Sequence, residues 1–187
     1  MVVLDFFCGK KKIIILSKKL AYILLKGVYA MNKKFTITGL LISIAISLGV
    51  GVLSGLLTLG SFDTYSNLQQ PALAPPGWLF PVVWTVLYIL MGISAYLVYI
   101  NSNEERYIGL AIYGLQLIFN FLWSIIFFNL GQPLFAFVWL VILWLLIVAM
   151  IINFYRINPT TGLLQIPYLL WVTFAGYLNL SIYLLNR

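Results

Sequence analysis

Five stretches of this sequence run apolar, with no Asp, Glu, Lys or Arg inside them: Phe35–Leu59, Leu79–Ile100, Ile108–Leu130, Leu134–Phe154 and Leu163–Leu185. Each exceeds the roughly 20 residues a helix needs to cross a hydrocarbon layer of about 30 Å. A fold built for water is excluded with them. Only 8% of the chain is charged and 63% is hydrophobic, against about 25% charged in ordinary soluble domains. The expected class is an all-α integral membrane protein, a five-transmembrane-helix bundle.

The connections sharpen that expectation. Residues 101–107, the turn Gly131-Gln132-Pro133 and residues 155–162 are short, so helices adjacent in sequence become antiparallel neighbours. The exception is loop one, Gly60–Trp78. It carries Tyr65, Pro71, Pro75, Pro76 and Trp78, and its prolines lower the entropy lost when it adopts one shape. A stiff aromatic segment of this kind reads either as a binding loop or as an external linker.

Charge divides the chain in two. Residues 1–30 hold six Lys and one Asp, while residues 31–187 hold Lys33, Lys34, Arg106, Arg156 and Arg187 against Asp63, Glu104 and Glu105. The basic excess is therefore an N-terminal matter, and no nucleic-acid partner is expected. Residues 1–30 could form a basic amphipathic helix on anionic lipid or a poor signal peptide. The favoured reading is an extension upstream of a true start at Met31, because Met31-Asn32-Lys33-Lys34 opens directly onto an apolar run. Lys26-Gly27-Val28 can also be encoded as a purine-rich ribosome-binding sequence. The membrane domain is then 31–187.

Lys and Arg near span ends favour the cytoplasm. Lys33, Lys34, Arg106 and Arg156 fall on one side and only Arg187 on the other. The expected orientation has the N-terminus cytoplasmic, with the C-terminus and loop one outside.

The chain has no His and a single cysteine, Cys8. Triad chemistry, imidazole proton shuttling, an intrachain disulfide and Cys/His metal sites are excluded, so no metal and no required cofactor is expected. Intramembrane charges, the expected carriers of ion coupling, are missing from the spans as well. What the spans carry instead is aromatic and amide side chains at helical spacing. Gln116, Asn120 and Ser124 share one face of the third span, read either as helix-to-helix hydrogen bonding or as ligand contacts. Trp84 and Tyr88 share a face of the second, and Trp171, Ala175 and Leu178 a face of the fifth.

Depth separates these residues from an interfacial aromatic belt. Trp171 lies roughly 12 Å and Asn120 roughly 18 Å into their spans. With the orientation above, the whole group sits beneath loop one, an apolar π-rich setting with few polar groups that suits a small molecule. The first span carries Gly39, Ser43, Ser47, Gly51 and Gly55 at every fourth position, a small-residue ridge for helix packing that fits intramolecular contact or homodimerisation. Leu180 to Arg187 fits a loose sterol-binding pattern.

Three segments carry a resemblance: Pro71-Ala-Leu-Ala-Pro75-Pro76-Gly-Trp78-Leu-Phe80-Pro-Val-Val-Trp84-Thr-Val-Leu87-Tyr88, Gln116-Leu-Ile-Phe-Asn120-Phe-Leu-Trp123-Ser124, and Pro167-Tyr168-Leu-Leu-Trp171-Val-Thr-Phe174-Ala175-Gly-Tyr-Leu178-Asn179. Together they resemble the TspO/MBR family of tryptophan-rich sensory and translocator proteins, across essentially all of residues 35–187. One departure is Leu73-Ala74, where many members have Trp before the Pro-Pro pair.

The resemblance implies a five-helix bundle, often a homodimer. It implies a receptor for porphyrins such as protoporphyrin IX and for benzodiazepine-type and isoquinoline carboxamide ligands, with Tyr65, Pro75, Trp84, Tyr88, Asn120, Trp171, Ala175 and Leu178 as ligand contacts. It further implies light-dependent porphyrin degradation requiring Trp84 and Trp171 as the catalytic pair. The rival reading is a transporter of porphyrin or sterol-like molecules. An Ile-, Lys- and Asn-rich composition fits an AT-rich bacterium, hence a plasma membrane location. Without His, metal-free porphyrin is the better expected ligand, since haem iron would need an unusual Tyr or Met ligand.

Overall fold

A computed structural model describes residues 35–61, 67–101 and 103–187, and the extension 1–30 lies outside them. Among the described residues all regular structure is helical. α1 is Ile37–Thr58, continued by a 3₁₀ turn at Leu59–Ser61, and α2 is Leu79–Tyr99. α3, Arg106–Ser124, widens into a π turn at Ile125–Asn129. α4 is Pro133–Ile157, α5 the short Pro159–Leu163, and α6 Ile166–Leu185. Five helical segments are long and apolar enough to cross a membrane. The outward surface agrees: Leu41, Ile46, Leu53, Leu57, Val138 and Leu170 are all exposed, a display that water would not tolerate and lipid does. The protein is an integral membrane five-helix bundle.

Local chemistry places the helix ends. Thr36 caps α1, its Oγ1 accepting the Gly39 N–H at 3.3 Å, which satisfies one of the free donors of the first turn. Gly131, with φ of 58°, makes the tight reversal that a side chain would strain, and Pro133 then opens α4 where its missing N–H costs nothing.

The fourth connection is shorter than the sequence suggests. α4 runs on to Ile157, and the break is confined to Asn158, held extended at φ −155° and ψ 119°. Pro159 excludes the helical region for the residue before it, and the Asn158 side chain caps α5 by accepting the Thr160 N–H at 3.0 Å. The fifth span is correspondingly interrupted. Leu164 and Gln165 form a turn between α5 and α6, where an uninterrupted helix from Leu163 was expected.

α1 lies along α2, α3 along α4, and α4 along α6, while α1 and α2 both reach α3. Four of the five small residues on α1 meet neighbours within this chain. Gly39 leaves room for the Tyr96 ring and Gly51 for the Tyr88 ring. Ser43 Oγ donates to the Gly92 carbonyl at 2.8 Å, and the Ser47 and Tyr113 hydroxyls lie 2.6 Å apart. Below these, Tyr96 accepts the Thr36 N–H at 2.7 Å and donates to the Thr36 carbonyl at 2.9 Å. The fifth, Gly55, has open space in front of it. The buried core, with Met91, Leu143, Ile147, Met150 and Phe154 enclosed, fills the end of the bundle away from loop one.

Candidate ligand-binding cavity

Where the small-residue contacts of α1 run out, a cavity of about 600 Å³ opens between α1, α2, α3 and α6. That volume lies in the range of small-molecule sites, about 300–1,000 Å³. Its α2 wall is built on the one-turn spacing of Phe80, Trp84 and Tyr88. The Trp84 and Tyr88 rings are 5.6 Å apart and tilted by 30°, and Trp84 meets Tyr168 of α6 edge-on at 6.2 Å. Such geometries suit the quadrupoles of aromatic pairs.

Facing them, α3 contributes Asn120, Trp123, Ser124, Phe127 and Phe128, and α6 contributes Ala175, Leu178, Asn179 and Ile182. Trp123 and Phe127 stack at 5.5 Å, and Phe128 stands edge-on to Phe127 at 5.0 Å. The π turn carries both phenylalanines. Wide turns of this kind recur at functional sites.

The polar part of the site is a chain of hydrogen bonds leading away from the cavity. Tyr88 donates its hydroxyl to Asn120 Oδ1 at 2.6 Å, Asn120 Nδ2 donates to the Tyr168 hydroxyl at 3.1 Å, and Tyr168 donates to Gln116 Oε1 at 2.8 Å. Gln116 Nε2 ends the chain on the Met91 thioether at 3.8 Å. Each amide is thereby satisfied without water, and Gln116, Asn120 and Tyr168 are almost completely enclosed. A second amide, Asn179, accepts the Trp123 indole N–H at 3.2 Å and donates to the Pro133 carbonyl at 2.7 Å, locking α3, α4 and α6 together. Among the described residues no charged side chain lines the cavity, and no cluster of three or more His, Cys, Asp or Glu forms a metal site.

The residues singled out from the sequence divide into those the structure gathers and those it does not. Trp84, Tyr88, Asn120, Ala175 and Leu178 all stand on the cavity wall. Trp171 stands behind it, edge-on to Phe80 at 5.9 Å and beside Phe174 at 5.7 Å, with its enclosed indole N–H lacking an acceptor. Pro75 is half-buried in loop one, off the wall, and Tyr65 lies outside the described residues.

Sequence reading passed over Trp123, Phe127, Phe128 and Asn179, and over Ser54 and Thr58 of α1. The signal for the first three was the helical stripe that already contained Asn120 and Ser124, continued by one turn. Both ends of loop one are held close to the site. Ser61 Oγ donates to Asn129 Oδ1 at 2.9 Å, and Asn129 Nδ2 donates to the Leu57 carbonyl at 2.9 Å. At the other end, the Gln69 N–H donates to Asn186 Oδ1 at 2.8 Å, and Asn186 Nδ2 returns a bond to the Gln69 carbonyl at 3.1 Å.

Comparison with known proteins places these features among relatives. The model of the TspO/MBR family matches residues 43–185. A tryptophan-rich protein TspO of Chlorobaculum tepidum is 38% identical over 159 residues, covering 83% of this chain and 99% of the relative. Protein CrtK of Rhodobacter capsulatus is 44% identical over 124 residues, covering 65% and 78% respectively. The translocator protein of Sus scrofa is 34% identical over 145 residues, covering 75% and 85%.

Proposed function

This chain belongs to the TspO/MBR family, and we propose that it is a membrane receptor for flat tetrapyrroles of the protoporphyrin IX type, able also to take benzodiazepine-type and isoquinoline carboxamide ligands. The observation that carries the reading is the cavity itself, about 600 Å³ walled by Trp84, Tyr88, Trp123 and Phe127 with Asn120 as an amide partner. A broad π system gains from rings that are already immobilised by packing, because little side-chain entropy remains to be lost on binding. The amide of Asn120 is held by Tyr88 and Tyr168, which orients it before any ligand arrives.

Oxygen and light supply the chemistry that acid–base groups do not. A bound porphyrin excited beside Trp84 produces reactive oxygen within reach of its own macrocycle, with Trp171 one ring behind through Phe80. The site resides in the half of the plasma membrane nearer the outside, with loop one external, as the Lys and Arg distribution favours.

The test is a protoporphyrin IX titration of detergent-purified protein, following Trp fluorescence in the dark and the porphyrin absorbance bands under light, beside Trp171→Phe. Saturable quenching is expected in both proteins, with light-driven band loss slowed in the variant. Saturable quenching without band loss leaves a receptor alone, and no saturable quenching overturns the reading. Movement of porphyrin across sealed proteoliposomes would instead mark a transporter.

A further inference from the structure

The exposed positions of the cavity wall are not distributed around it. On α3 and α6 every wall residue is buried or half-buried; the exposed ones are Val52, Gly55 and Leu59 on α1, and Gly77, Pro81 and Thr85 on α2 and the turn leading into it. Each of these two helices has a covered flank and an open flank. On α1, Ser54 and Thr58 are covered while Val52 and Leu59 are more than half exposed. On α2, Trp84 and Tyr88 turn inward while Pro81 and Thr85 do not.

The two open flanks border one gap. Toward the far end of the bundle α1 and α2 are in direct contact, through Gly39 and Tyr96, Ser43 and Gly92, and Gly51 and Tyr88. Beyond Gly51 that contact stops, and a side-chain carbon at Gly55 would touch nothing. From Val52 to Leu59 the gap runs about 10 Å along α1, at membrane depth, and its rim continues into the exposed Leu53, Leu56 and Leu57 of the lipid-facing surface.

From this asymmetry we propose that the cavity is loaded sideways from the hydrocarbon phase, through the gap between α1 and α2, and that its ligands are planar hydrophobes already dissolved in the bilayer. The inference rests on the receptor reading and adds the phase from which the ligand comes. A route free of charged side chains suits a solute that has already shed its water. The polar loop-end route would require a membrane-partitioned ligand to return to water first, at a cost of about 25 cal/mol per Å² of apolar surface re-exposed.

The test uses the full chain in proteoliposomes with protoporphyrin IX as probe, reading the rate of Trp quenching after rapid mixing at several lipid-to-protein ratios. The expected result is an association rate that follows porphyrin per lipid, and not the free aqueous concentration. Val52→Trp and Thr85→Trp, which narrow the gap from either side, should slow association and dissociation together by about tenfold or more. Gly77→Trp, at the loop end where the added carbon meets nothing, should change either rate less than about twofold. Rates that follow the aqueous concentration, or that fall with Gly77→Trp and not with the two gap variants, overturn lateral entry while saturable binding leaves the receptor intact. A wild-type chain that shows no saturable quenching removes the receptor reading, and lateral entry falls with it.

Discussion

The ring of Tyr88 rests on the bare backbone of Gly51, so close that any side-chain carbon at position 51 would overlap Cε2 and Cδ2 of the ring. The contact is the last point at which α1 touches α2 before the cavity, and it holds Tyr88 in reach of Asn120. One glycine thus serves both the packing of two helices and the aim of the hydroxyl at the binding site.

Gly51→Ala should therefore lower stability by about 1–3 kcal/mol, the usual cost of forcing extra volume into a packed site. Gly55→Ala should be neutral or stabilising by up to about 1 kcal/mol, since its new methyl enters open space and a helical glycine is entropically costly. Thermal melting of both variants in the same detergent checks the pair. Equal destabilisation would contradict the contact at Gly51.

The hydrogen bond between Tyr88 and Asn120 can be isolated by a double-mutant cycle of Tyr88→Phe and Asn120→Leu. Interhelical hydrogen bonds in membranes average about 0.6 kcal/mol and reach about 1.7, less than the gas-phase strength of such a bond would suggest. The coupling energy from reversible unfolding in mixed micelles should fall in that interval. Strict additivity would mean that the two groups do not interact.

Trp84 and Trp171 should behave differently because one stands on the wall and the other behind Phe80. Trp84→Ala should weaken protoporphyrin IX binding about tenfold or more, the equivalent of about 1.4 kcal/mol and within reach of one aromatic contact plus its buried area. Trp171→Phe should hold affinity within about threefold and act on the light reaction. Isothermal or fluorescence titration in the dark separates the two, and a comparable loss in both would place Trp171 in direct contact with the ligand.

Much of this arrangement was legible before any coordinates. Trp84 with Tyr88, and Ala175 near Leu178, lie on shared faces by helical spacing alone, and depth sets them level with Asn120. What spacing does not supply is the rotation of one helix about its axis relative to the others. Trp171 shares a face with Ala175, yet α6 turns so that Ala175 reaches the cavity while the indole meets Phe80.

The partner of a polar residue is equally hidden. Gln116 and Tyr168 lie on different helices, 52 positions apart in sequence, and nothing local in either segment announces the other. The break at Asn158 was within reach, because Pro159 marks it. The continuous apolar pattern that follows concealed the second turn, at Leu164 and Gln165.

The two amide bonds between Gln69 and Asn186 make loop one measurable at its C-terminal stem. Net contributions of about 0.5–1.5 kcal/mol per bond predict that Asn186→Ala speeds hydrogen exchange of the Gln69 amide by about tenfold, with α2 to α4 unchanged. Mass-spectrometric exchange on peptides covering residues 67–74 provides the readout. Unaltered exchange would show that Asn186 does not hold the stem.

Orientation is open to labelling. On a Cys8→Ser background, Leu73→Cys should react with an impermeant maleimide on intact cells, and Glu104→Cys only after permeabilisation. Both positions are exposed. The reverse pattern would invert the bundle.

The π turn at Ile125–Asn129 holds one residue more than a regular helix would place in the same rise. Removing a single codon there would let α3 wind evenly, and everything after the deletion would swing by about 100° around the helix axis. Asn129 would then leave the end of α1, where it now binds Ser61 and Leu57, and Phe127 and Phe128 would change places with their neighbours. The shape of the chamber is therefore set by a count as well as by side chains: a one-residue indel in this turn would remodel the recess as thoroughly as several substitutions, while leaving every transmembrane segment long enough to cross.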